Sequence, residues 1–209
     1  MDKLSKFYKD NKILSILGTA AALGGIAFGA YKVLSKKSKG VPSTVLKDPK
    51  YKEEFPLTKV EALYRSSIIT DVKYHLGLLL KSGEEYEGKV VITFKALQQE
   101  DTFIDFQGRE VTCFTLNGVH ICAEDAYANH KLKVIGELLK LDGALNKAVV
   151  HFKNNYRNDS VGLHRFIDPE DNQEYLYTQC EPFSANKIFP CFDQPNLKAS
   201  LKLAVIAPQ

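Results

Sequence analysis

Two runs of strict alternation constrain this chain more than anything else in it. In "DVKYHLGLLL", Val72, Tyr74, Leu76, Leu78 and Leu80 fall on one face. In "KVVITFKAL", Val90, Ile92, Phe94 and Ala96 do the same. A repeat of two suits a strand with one face buried and one in water, not a helix. The turn-rich "SGEEYEGK" between the runs predicts a hairpin connection. Short β-prone runs follow: "TFIDF", "VTCFTL", "VHICA", "NKAVVHFKNNY", "EYLYTQ" and "LKASLKLAVIA". Asn117-Gly118, between the second and third of these, is a strong two-residue hairpin signal. "ELLKLDGALN" admits a helix but reads better as loop with an irregular strand. A short helix is expected in "LTKVEALYRSS", where Thr58 and Glu61 have the spacing of a capping box. The sum predicts a mainly β, antiparallel domain over residues 57–209. In its last strand Leu201, Leu203 and Val205 alternate with Ser200 and Lys202, and an edge position would leave that strand open to pairing.

The first 56 residues read differently. After a flank at 1–12, Ile13 to Tyr31 is nineteen residues without a charge. As a helix it would be about 28 Å long, close to the hydrocarbon thickness of a bilayer. A single transmembrane helix is expected over 13–34. Gly18, Gly25 and Gly29 give it a small-residue face on which another helix could pack. A Lys- and Pro-rich linker is expected over 35–56, with Lys36, Lys37 and Lys39 available to lipid headgroups. Lys on both flanks gives a slight bias toward a β domain on the matrix or cytoplasmic side.

Composition excludes several classes. A net charge of +3 gives no case for nucleic acid. Ten Tyr, twelve Phe and no Trp suit a β-rich core. Cys113, Cys122, Cys180 and Cys191 show no C-x-x-C spacing, so four reduced thiols are expected, although an oxidising compartment would admit a Cys180–Cys191 disulfide. His75, His120, His130, His151 and His164 form no pair at metal-ligand spacing. There is no P-loop, G-x-G-x-x-G or nucleophile elbow. No cofactor is expected.

The motifs "LTKVEALYRSSIITDVKYHLGLLL", "TFIDFQG…VTCFTLNG" and "GLHRFIDPEDNQEYLYTQCEPFSANKIFPCFDQPNLKASLKLAVIAP" occur in an order and spacing that resembles the N-terminal domain of the alanyl and puromycin-sensitive zinc aminopeptidases. The resemblance covers about residues 57–209 and implies a saddle-like antiparallel β domain. It also implies that "TQCEP" borders an active site, with Glu181 binding the α-amino group of a peptide and Gln179 in the first side-chain pocket. Read from the residues alone, Glu181-Pro182 is equally a turn carboxylate or the N-cap of a short helix. The family's H-E-x-x-H, its downstream Glu and its G-A-M-E-N are absent from these 209 residues. The chain therefore reads as truncated before the zinc domain, a pseudo-aminopeptidase rather than an enzyme.

Taken together, these features predict a non-catalytic, membrane-anchored accessory subunit. Its partners would be other membrane subunits, met through the helix and the exposed β edge. A mitochondrial respiratory complex of the inner membrane is the first expected host. The alternatives are the substrate-binding subunit of a split zinc aminopeptidase, or an isolated module that captures peptide N-termini.

Overall fold

A computed structural model of the protein describes residues 57–208. Helix α1 (Lys59–Ile68) opens them. The Glu61 amide donates to the Thr58 hydroxyl at 3.2 Å, and the Thr58 amide donates to the Glu61 carboxylate at 3.0 Å. This closes the expected capping box and satisfies two amides that a helix start leaves orphaned. The buried stripe of α1 is Glu61, Arg65 and Ile68, at i, i+4 and i+7. Two of these three are charged, which a helix tolerates only where partners wait for them.

Eleven strands follow among the described residues. They are β1 (Ile69–Leu79), β2 (Glu85–Ala96), β3 (Thr102–Asp105), β4 (Glu110–Leu116), β5 (Val119–Ile121), β6 (Tyr127–Ala128), β7 (Lys131–Val134), β8 (Leu145–Asn155), β9 (Gly162–Ile167), β10 (Glu174–Gln179) and β11 (Ala199–Ile206). A one-turn helix α2 (Ala123–Ala126) precedes β6. Six strands form one sheet in the order β11-β1-β2-β8-β4-β5. Three form a second, β3-β7-β6, and β9 and β10 pair as a ribbon.

The alternation read from the sequence sets the core. Val72, Tyr74, Leu76 and Leu78 of β1 are buried. So are Val90, Ile92, Phe94 and Ala96 of β2, and Ala148, Val150 and Phe152 of β8. Ile104, Leu132 and Val134 of the three-stranded sheet belong to the same apolar cluster, so the two sheets share one core. Asn117 and Gly118 both take positive φ, 53° and 87°, as a two-residue hairpin turn between β4 and β5 requires.

Three features depart from expectation. The main sheet is mixed, because β11 runs parallel to β1, with Tyr74 opposite Leu201 and Leu76 opposite Leu203. A parallel neighbour cannot be joined by a tight turn, and everything from β2 to β10 lies between these two strands. The connection expected at "SGEEYEGK" is shorter than that run, since β2 already begins at Glu85. In "ELLKLDGALN" a 3-10 turn at Gly136–Leu138 replaces the irregular strand.

The expected transmembrane helix at 13–34, with Gly18, Gly25 and Gly29, and Lys36, Lys37 and Lys39 of the linker lie outside the described residues. The single-pass inner-membrane placement is corrected. Among the described residues no helix is long and apolar enough to cross a membrane. The longest of them, α1, has ten residues, or about 15 Å, roughly half the hydrocarbon thickness.

Candidate functional site

Gln179 is the last residue of β10 and pairs with Gly162 of β9. The pairing puts His164, Phe166, Tyr175, Tyr177 and Gln179 on one face of the ribbon, because partners share a face and faces alternate along a strand. His164 is buried and stacks on Tyr177 with ring centroids 4.6 Å apart. Its Nδ1 accepts the Ser160 amide at 3.0 Å. A mainly aromatic stripe thus leads along β10 to Gln179.

Beyond β10 the chain turns. Cys180 is half-buried, Glu181 and Pro182 are exposed, and the Glu181–Pro182 peptide is cis. The Ser184 amide donates back to the Cys180 carbonyl at 2.9 Å. A 3-10 turn at Ala185–Lys187 then carries the chain into the interior, and residues 186–192 are all buried. Glu181 is a turn residue, one of the two roles its sequence context allows. Gln179 and Glu181 both stand exposed, two residues apart, at the junction of a ribbon and a buried segment.

That buried segment is bonded on every side. The Tyr86 hydroxyl donates to the Ile188 carbonyl at 2.8 Å, and Asn154 Nδ2 donates to the Lys187 carbonyl at 2.8 Å. The Phe192 amide donates to the Tyr74 hydroxyl at 2.9 Å. Asp105 and Cys191 exchange backbone hydrogen bonds at 2.8 and 3.0 Å. Arg65, fully buried, donates through Nη1 to Asp105 Oδ2 at 2.6 Å and through Nε to Gln194 Oε1 at 2.9 Å. Its guanidinium also lies 4.7 Å from the centre of the Phe103 ring. Burial pushes the Asp105 carboxyl above the usual carboxylate range although the Arg65 charge opposes it. Burial likewise raises Asp193, against its bonds to Asn186.

Sequence reasoning singles out Gln179 and Glu181 and misses the buried Arg65–Asp105 pair that holds the 191–194 segment. A signal was present. Glu61 and Arg65 sit at stripe positions of α1, where an apolar residue is the rule. All four cysteines are free, with Cys191 buried and its thiol pushed well above the ordinary range by burial. No group of three His, Cys, Asp or Glu among the described residues could hold a metal ion.

The peptidase M1 N-terminal domain family matches residues 70–209. The chain belongs to that family. Aminopeptidase N of Streptomyces lividans is 33% identical over 157 residues, covering 73% of this chain and 18% of its own length. Probable aminopeptidase 1 of Saccharolobus solfataricus is 29% identical over 125 residues, 59% of this chain and 14% of the relative. The M1 zinc metallopeptidase of Deinococcus radiodurans has a similar fold, with a TM-score of 0.51 at 18% identity, covering 68% of this chain and 33% of that one. The M1 N-terminal domain chain thus spans less than a fifth of the length of these two sequence relatives. These findings overturn the expected role as an accessory subunit of a respiratory complex, since the relatives it matches are named aminopeptidases. The expected mitochondrial inner membrane falls with that role.

Proposed function

We propose that this M1 N-terminal domain serves an aminopeptidase by supplying one wall of its substrate site. Glu181 holds the free α-ammonium of a peptide, and Gln179 faces the side chain of the peptide's first residue. The observation that carries this is the exposed pair Gln179 and Glu181, standing where the β9–β10 ribbon meets the buried segment 186–192, in a chain of this family. A carboxylate beside an ammonium makes a charge-assisted hydrogen bond, which selects a free N-terminus over a blocked one.

The zinc of such an enzyme has no ligand set among the described residues, and the 209 residues contain no H-E-x-x-H. The part played by this chain is therefore binding and orientation. In this reading the hydrolytic step belongs to a zinc domain, on the same polypeptide or on another. With that domain supplied, Glu181→Gln should lower kcat/KM for an amino-acyl substrate about 100-fold, equivalent to about 2.7 kcal/mol. Gln179→Ala should alter the preference among first-residue side chains more than the overall rate. Unchanged kcat/KM in Glu181→Gln would sink the proposal.

A further inference from the structure

The turn that follows Glu181 is held from beneath by a relay of polar groups reaching back to α1. The backbone amide and Nδ2 of Asn186 both donate to Asp193 Oδ2, at 2.9 and 2.8 Å. The Asp193 amide donates to Asp105 Oδ2 at 3.0 Å. The same Asp105 oxygen takes Nη1 of Arg65. Gln194, bonded to Arg65, reaches the Ala62 carbonyl of α1 at 2.8 Å. Arg65, Asp105, Asn186 and Gln194 are all buried. Polar groups in such surroundings are costly unless bonded, so the relay favours one arrangement over its alternatives.

Glu181 has two neighbours in the chain that could fix it. On one side is the β9–β10 ribbon, two strands whose β10 residues are mostly exposed. Backbone bonds tie β9 to Arg157, but among the described residues β10 pairs with β9 alone, as the outer strand of a two-stranded ribbon. On the other side the Ser184 amide ties back to Cys180, and the Lys187 amide donates to the Ser184 carbonyl at 3.1 Å, so the turn is continuous with Asn186. The firm anchor is therefore on the Asn186 side.

We infer that Asp193, acting through Asn186, is a positioning residue for Glu181: it holds the 180–187 turn so that the carboxylate stands where a peptide ammonium can meet it. This rests on the assignment of Glu181 to the substrate amine. Binding groups need placement to within about 0.5 Å, and a 1 Å misplacement can cost about 100-fold. Loss of the Asp193–Asn186 bonds leaves the bonds of Tyr86 and Asn154 to residues 187 and 188 in place. The effect should therefore stay local.

The test uses Asn186→Ala, which removes the Nδ2 bond, with Asp193→Ala, which removes both bonds and should act at least as strongly, as a second variant and Glu181→Gln as the reference. Hydrogen exchange on the 209-residue chain should show amides between Glu181 and Asn186 exchanging at least about tenfold faster in Asn186→Ala, with β2 and β8 unchanged. In the complete peptidase, KM for a dipeptide with a free amino terminus should rise about tenfold while kcat changes less than about threefold. Adding Asn186→Ala to Glu181→Gln should raise KM no further, because the positioned group is already gone. Exchange at the wild-type rate, faster exchange spread through β2 and β8, or an additive double variant would overturn the inference alone. A Glu181→Gln variant with unchanged kcat/KM would overturn the amine assignment and this inference with it.

Discussion

Arg65 shows how one side chain fixes several elements. It joins α1 to β3 through Asp105 and to the 191–194 segment through Gln194, with no exposure to water. Removing one partner of a buried ion pair strands the other charge, so Arg65→Ala should destabilise the domain by about 3–5 kcal/mol in urea unfolding. A double variant that also carries Asp105→Asn should recover part of that loss. His151 of β8 makes a pH prediction. Its imidazole is pushed down to about 4, first by burial and then by the Lys89 ammonium. An unfolded chain titrates its histidines near 6.5, so between about 6.5 and 4 the unfolded state binds a proton that the folded state refuses. Stability from this group is full above about pH 6.5 and is lost as the pH falls toward about 4. Partial exposure screens the effect to about 1–2 kcal/mol. His151→Gln should flatten the stability profile across that window, and a slope that survives the substitution would remove His151 as its source.

At the scale of elements, the β2–β8 pair is the best place to test packing. Gly88 lies opposite Phe152, and a Cβ added there would meet the ring at 2.2 Å. Phe152 is itself buried between neighbours, at 5.1 Å from the Phe106 ring centre, and has no room to withdraw. Gly88→Ala should therefore cost about 1–3 kcal/mol, read as a lower thermal midpoint. Alternation makes β1 and β2 legible, because one face of each is apolar over most of its length, while β8 is legible as a β-prone run whose inward face is apolar from Ala148 to Phe152. Thr58 and Glu61 announced α1, and Asn117-Gly118 announced the β4–β5 turn. The parallel placement of β11 was not legible, because alternation along a strand carries no information on the direction of its neighbour. Strands β6 and β7 are not legible because Tyr127–Ala128 is two residues and the Lys-interrupted Lys131–Val134 is not a β-prone run. At the site, Gln179 and Glu181 are reached by resemblance, while the bonds of the buried segment that follows them join residues far apart in the chain, such as Tyr86 and Ile188.

For the whole molecule, the described residues make one apolar core with two unfinished surfaces. One is the edge strand β11, where Leu201, Leu203 and Val205 stay 51%, 56% and 46% exposed although they align with core residues of β1. The other is the ribbon face that leads to Gln179. Both suit a domain that works beside more protein, and the relatives of which it spans 18% and 14% are named aminopeptidases. The proposed role of Glu181 is to meet the amino terminus of a peptide. A crystal structure of the complete peptidase with a bound peptide tests this through the distance from the peptide's α-nitrogen to the Glu181 carboxylate. A charge-assisted hydrogen bond of about 2.7–2.9 Å is expected. A peptide bound with its α-nitrogen beyond about 6 Å from that carboxylate, and on other residues, would contradict it.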